Sequence, residues 1–246
     1  MRLPILMRLP ILMYHKVDRL PPSPGARYVR NYVLPEQFDA QLAALRRWGY
    51  ETISFDDWLA YRRRERTLPR RPIILTFDDG YRSTYEVAWP LLKRYAATAT
   101  VFLVSDLIGR TNVWDAGEIQ EPLLGAGEIT AMRAGGIEFG SHTCTHPALT
   151  ALPPPRVLAE LRDSRTALAQ LLGAPVRVLC YPFGKQNAAV RALAREAGYE
   201  AAVIARRRLN SRASDPLRLT RLRIDTNTRL PALRWTLFQL HWLWWT

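Results

Sequence analysis

Short apolar runs alternate with stretches of helical periodicity along the chain. Eight runs, at residues 10–14, 51–55, 72–77, 98–104, 137–141, 176–181, 200–205 and 221–225, are rich in Ile, Val, Leu or Phe. Continuous apolar character over such short lengths predicts strands buried on both faces. Between the runs, Phe38, Leu42 and Leu45 fall at helical spacing, as do Val157, Leu161, Leu168 and Leu172. Leu149 to Pro155, with three successive prolines, reads as a turn into the second of these helices, because proline suits a first helical turn. Repeated strand–helix alternation without a long linker predicts one parallel α/β domain. At this level an open doubly wound sheet and a barrel both fit.

The two ends of the chain read differently. Met1 to Leu6 recurs as Met7 to Leu12, so residues 1–9 are expected to be a duplicated extension ahead of a domain at 10–229. Arg8 and the prolines interrupt any signal-peptide core, and no run of about 20 apolar residues exists to form a transmembrane helix. A cytoplasmic or membrane-peripheral location is the resulting expectation. Residues 230–246 hold four of the eight tryptophans, and Leu233, Leu237, Leu240 and Trp244 share one helical face. This predicts a last helix packed on the domain, with a membrane interface or a dimer contact as the other uses of a Trp-rich helix.

Composition narrows the class. A chain of 246 residues, 48% hydrophobic and 23% charged, excludes a disordered or low-complexity protein. The net charge of +13 raises nucleic acid or a membrane surface as partners. The basic residues are scattered, however, and only Lys16, Lys93 and Lys185 among them are lysines. An arginine-biased solvated surface with no nucleic-acid partner is therefore expected. Two cysteines, Cys144 and Cys180, exclude a disulfide framework and leave either one bridge or two free thiols.

Chemistry gathers where the apolar runs end. Thr76-Phe77-Asp78-Asp79-Gly80 follows one of them. Neighbouring aspartates on a continuing strand face opposite ways, but a turn at Gly80 would splay both carboxylates beyond the strand's C-terminal end, where parallel α/β proteins bind ligands. Gly140-Ser141-His142-Thr143-Cys144-Thr145-His146 follows another run, and a helical turn there would bring His142 and His146 to one ion. Two histidines and a carboxylate with open positions suit a divalent cation, zinc first, with cobalt, nickel or manganese as further options. Cys144, between the histidines, is a weaker ligand candidate. Tyr181-Pro182-Phe183-Gly184 and Met13-Tyr14-His15 close two further runs.

In this order the motifs resemble those of the NodB-homology polysaccharide deacetylases, carbohydrate esterase family four. The opening Met13-Tyr14-His15-Lys16-Val17 is similar to the branch with an N-terminal Tyr-His motif, as in biofilm poly-N-acetylglucosamine deacetylases. The resemblance spans about residues 10 to 225 and implies a single distorted (β/α)7-type barrel with parallel strands. It implies a metal-dependent hydrolase that removes N-acetyl or O-acetyl groups from an oligosaccharide, polysaccharide or lipid-linked sugar. Carried over by position, Asp78 is the general base, and Asp79, His142 and His146 hold the metal. The Phe183 N–H steadies the oxyanion, and His15 is the acid. Many members carry an arginine that orients the base where this chain has Cys180, so Arg221 or Arg223 becomes the candidate replacement. Sugars need an aromatic wall, for which Trp114 is the candidate, with Tyr181 and Pro182 beside it. A hydrolase of non-sugar amides and a non-catalytic carbohydrate-binding protein on the same fold are the competing readings.

Overall fold

A computed structural model describes residues 8–21, 29–117, 119–206 and 210–242, with residues 240–242 described by backbone alone. Its centre is a set of parallel strands: β1 (Ile11–Tyr14), β2 (Pro72–Phe77), β3 (Thr100–Leu103), β4 (Glu138–Ser141), β5 (Val178–Cys180), β6 (Ala201–Ile204), β7 (Leu219–Thr220) and β8 (Leu222–Arg223). Helices α1 (Pro35–Arg47), α2 (Phe55–Arg62), α3 (Trp89–Arg94), α4 (Ala126–Ala134), α5 (Pro154–Leu172), α6 (Ala188–Glu196) and α7 (Leu230–Trp242) surround them. The strand order runs β7-β6-β5-β4-β3-β2-β1-β8. Strands β7 and β8 are consecutive in sequence yet lie at opposite ends of that order, joined through Arg221 alone. They are two halves of one broken strand that closes the sheet on itself. The barrel reading of the sequence is therefore right, and the open sheet is not formed.

Strand alternation divides the side chains between two cores. Ile11, Ile74, Phe102, Val178, Cys180, Ala201, Val203 and Leu219 fill the barrel with Phe55 and Trp58 of α2. Leu12, Leu75, Phe77, Val101, Leu103, Leu179, Ala202 and Ile204 face the helices, where Phe38, Leu42, Leu45, Val157, Leu161 and Leu168 meet them. Continuing the inward phase beyond the strands reaches His15 after Ile11 and Met13, Asp78 after Ile74 and Thr76, and His142 after Gly140. The residues with chemistry thus follow from the same period of two that builds the core.

Two expectations about boundaries change. Arg8–Leu9 pairs antiparallel with Asn210–Ser211, and Leu9 is buried, so the fold begins before residue 10; residues 1–7 lie outside the described residues. The apolar run at 51–55 is only half strand. Ser54 accepts a hydrogen bond from Asp57 N–H and starts α2, which takes Phe55 into a helix. The C-terminal helix buries Leu233 and Leu237, while Leu240 and Trp244 fall outside the described side chains.

Gly140 is demanded by close approach. A Cβ there would stand 2.6 Å from the Phe102 ring and 2.9 Å from the Val178 carbonyl oxygen. Gly140→Ala should overpack the barrel at a cost of about 1–3 kcal/mol. The melting temperature should fall by roughly 3–10 °C for a domain of this size, as calorimetry would measure.

Candidate active site

The C-terminal mouth of the barrel opens into a cavity of about 600 Å³ whose lining includes His15, Asp78, Asp79, Trp114, His142, His146 and Arg221. The two aspartates separate because the turn begins one residue earlier than the glycine suggests. Asp79 itself adopts φ 73°, followed by Gly80 at φ 71°. Asp78 stays in the inward strand phase while Asp79 swings sideways towards the histidines. Gly80 has little room either, since a Cβ there would meet the Leu103 side chain at 2.9 Å.

Asp78 meets Arg221. The guanidinium donates to both carboxylate oxygens at 2.6 and 2.7 Å, and also to Thr76 Oγ1 at 3.0 Å and Cys180 Sγ at 3.1 Å. The Cys180 thiol in turn donates weakly to Asp78 Oδ2 at 3.5 Å. Burial alone would push the Asp78 pKa up, but the Arg221 charge and hydrogen bonds outweigh it and hold the carboxyl below its ordinary value. Of the two arginines singled out in the sequence, only Arg221 reaches Asp78. Arg223 donates instead to the Arg30 carbonyl and the Asn31 side chain at the rim.

Asp79 meets the histidines. Its Oδ1 lies 3.3 Å from His142 Nε2 and 3.4 Å from His146 Nε2, and the two ring nitrogens are 3.2 Å apart. His142 Nδ1 donates to the Cys180 carbonyl at 2.7 Å, since a carbonyl only accepts, so neutral His142 presents a lone pair at Nε2. Three electron-rich atoms therefore face one another in a buried space. A tetrahedral ion with bonds of about 2.0–2.1 Å has its donors about 3.3 Å apart, so the residues fit a small divalent cation. Burial opposes charge on His142, yet the Cys180 side chain and Asp79 hold its pKa well above the ordinary value. Burial and the neighbouring His142 push His146 down.

No helical turn joins the two histidines. The segment is irregular, with Thr143 at φ 71° and His146 at φ 64°. Non-glycine residues seldom occupy this region, which is why spacing alone pointed to a helix. The cysteines are both free, and the Cys144 thiol donates to the Glu160 carbonyl, away from the cluster.

The remaining residues divide. Trp114 and Phe183 flank the His146 ring at centroid distances of 4.5 and 4.7 Å, so Trp114 does stand at the cavity. Tyr181 lines it too, but its ring is buried and its hydroxyl donates to the Leu217 carbonyl, which removes it as an aromatic wall. Pro182 is buried beside it. Phe183 adopts φ 59° in a turn closed by the N–H groups of Gly184 and Lys185 rather than by its own. His15 lines the cavity with Nδ1 buried and without a hydrogen-bond partner. Burial lowers its pKa, with Asp79 and Asp78 working in the other direction. Asp115, beside Trp114, also lines the cavity and was missed in the sequence, where an acidic residue in a polar loop carries no distinguishing signal.

The Asp78–Arg221 pair should be visible in stability. Its contribution is complete above the ordinary carboxylate range and is lost as pH falls through the depressed Asp78 pKa. Arg221→Met would leave a buried carboxylate unpaired and cost about 3–5 kcal/mol at pH 7. That cost should shrink towards pH 5 as Asp78, its pKa now raised by burial, takes up a proton. Urea unfolding at the two pH values measures both.

Residues 65–202 match the family described as polysaccharide deacetylase. The Bacillus subtilis protein YxkH is 27% identical over 218 residues, 89% of this chain and 72% of that one. A poly-beta-1,6-N-acetyl-D-glucosamine N-deacetylase of Staphylococcus epidermidis is 26% identical over 193 residues. The match covers 72% of this chain and 65% of that enzyme, just under two thirds of its length. The Streptococcus pyogenes deacetylase PplD, solved in complex with acetate, superposes with a TM-score of 0.81 at 28% identity, covering 94% of this chain and 98% of that one.

Proposed function

The chain belongs to the polysaccharide deacetylase family, hydrolases of carbon–nitrogen bonds in carbohydrates, and we propose that it removes N-acetyl groups from an N-acetylglucosamine-containing glycan with a divalent cation held by Asp79, His142 and His146. One observation carries this reading: a carboxylate clamped by a guanidinium and a three-donor cluster share a single cavity. The acetate bound to the Streptococcus pyogenes deacetylase, the product expected here, supports it.

A cation bound there supplies Lewis acidity to the acyl oxygen and makes water a stronger acid. Arg221 keeps Asp78 ionised and aimed, so Asp78 accepts the proton of the attacking water. The Phe183 N–H donates to the oxygen that gains charge as the carbonyl carbon becomes tetrahedral. His15 hands a proton to the departing sugar nitrogen, and burial, by lowering its pKa, makes its protonated form a stronger donor. Acetate and the free amine are the products. Trp114, beside His146, gives the sugar ring an apolar face.

Acetate release from N-acetylglucosamine oligomers tests this directly. Asp78→Asn should lower kcat by about 10²- to 10⁴-fold while the cation content per chain stays near normal. His142→Ala should lose both. Full activity in Asp78→Asn would remove the base assignment. Ammonia release from imides without acetate release from sugars would favour the non-sugar amide reading, and glycan binding with neither would favour a binding protein.

We further propose that the outer face of α7 meets an anionic membrane surface. Trp235 and Phe238 are 55% and 46% exposed and stack at 5.9 Å. They border a groove of about 490 Å³ that Arg47, Trp48 and Arg234 also line. Among the described residues no helix is long and apolar enough to cross a membrane. Exposed aromatic rings beside arginines, on a chain of charge +13, complement an anionic phospholipid surface. The protein should sediment with phosphatidylglycerol vesicles and far less with phosphatidylcholine, and Trp235→Glu/Phe238→Glu should abolish the difference. Unaltered sedimentation of that variant excludes the face, and lipid-independent dimers lost in the variant would assign it to a second copy.

A further inference from the structure

Helix α5 does more than cover the barrel. Its buried face carries Glu160 and Ser164, one helical turn apart, beneath the segment that joins the two histidines. Glu160 Oε2 accepts from the N–H groups of Cys144 at 2.8 Å and Thr145 at 3.0 Å, and Oε1 accepts from Thr145 Oγ1 at 2.7 Å. The carboxylate is only 6% exposed, so these bonds are made out of water. Ser164 Oγ pairs with Ser141 Oγ at 2.8 Å, the residue before His142. From the other side the helix is tied by the Tyr199 hydroxyl, which donates to the Leu161 carbonyl at 3.0 Å.

The loop needs such an anchor. It turns through two left-handed non-glycine residues, Thr143 and His146, and sequence-local bonds restrain only its ends, by Thr143 N–H to Ser141 Oγ and His146 N–H to Thr143 Oγ1. Its middle residues, Cys144 and Thr145, direct their donors to Glu160. A loop free to relax would let the two imidazoles separate, and the spacing of the three donors would be lost.

We propose that Glu160 is a positioning residue that sets the cation affinity of the Asp79–His142–His146 cluster, through the loop and without touching the ion. This rests on the cation reading above and goes beyond it by assigning affinity to a residue on a different element. Partners hydrogen-bonded directly to metal ligands change affinity by about 10- to 100-fold when lost, and Glu160 acts on the same donors through the two residues that join the histidines. Glutamine is the conservative replacement: its oxygen accepts from both N–H groups while its NH₂ donates to the Thr145 hydroxyl. Leucine has similar bulk and satisfies none of the three donors.

Cobalt(II) titration of the full chain, followed by visible absorption, with zinc competition against a chromogenic chelator, tests the proposal without any activity assay. Glu160→Leu should bind about 10- to 100-fold more weakly, and Glu160→Gln should remain close to the unaltered protein. A merely structural role for Glu160 would lower thermal stability and leave the cobalt affinity and spectrum unchanged in folded Glu160→Leu, which would overturn the proposal. Where Glu160→Leu does not fold, Thr145→Val, which removes one bond only, decides: weaker cobalt binding supports the anchor and equal binding refutes it. Failure of the unaltered protein to bind cobalt or zinc is a distinct result, and it would overturn the cation reading itself.

Discussion

Two imidazole nitrogens and a carboxylate oxygen stand within 3.4 Å of one another in a space nearly closed to water. Lone pairs held so close repel, and little solvent is present to weaken the repulsion. Positive charge among them turns that penalty into attraction. A divalent cation held by the three, as proposed, would supply that charge. Much of the surrounding architecture serves to keep the three atoms where they cannot drift apart. The strand phase aims His142 inward, the left-handed Asp79 turns its carboxylate sideways, and the irregular loop brings His146 back.

Beside this cluster the chain solves the opposite problem for Asp78. Adjacent aspartates would ordinarily titrate in similar fashion, yet these two receive different partners. Asp79 has imidazoles; Asp78 has a guanidinium that grips both oxygens and leaves it ionised. Environment, more than residue type, separates a ligand from a base. The Cys180 thiol fits under the same guanidinium, a small soft contact buried beside it.

How much of this was legible in the sequence depends on the range of the interaction. Apolar runs and their alternation gave the strands, and with them the inward phase of His15, Asp78 and His142. The Asp79–His142–His146 cluster was readable because its residues follow strand ends and the family motifs share that order. Arg221 and Arg223 were indistinguishable in sequence, because choosing between them requires knowing which falls at the break between β7 and β8. Tyr181 had the right neighbourhood, but its hydroxyl is claimed by Leu217, a partner 36 residues on. The helical turn expected between the histidines failed for a local reason: left-handed threonine and histidine are rare enough that no pattern announces them. Glu160 carried no signal either, since one glutamate on an amphipathic helix looks like any other until the helix is laid against the loop.

The seam of the barrel has a consequence for synthesis. Arg221 lies 143 residues beyond Asp78 and joins the two half-strands that complete the circle. As the polypeptide leaves the ribosome, Asp79, His142 and His146 all emerge well before the guanidinium that neutralises Asp78. Until the final strand inserts, Asp78 is a carboxylate without its counter-ion at the mouth of an apolar tube, which resists closing around it. Arrival of the arginine removes that resistance, so the same contact that readies the base also completes the assembly.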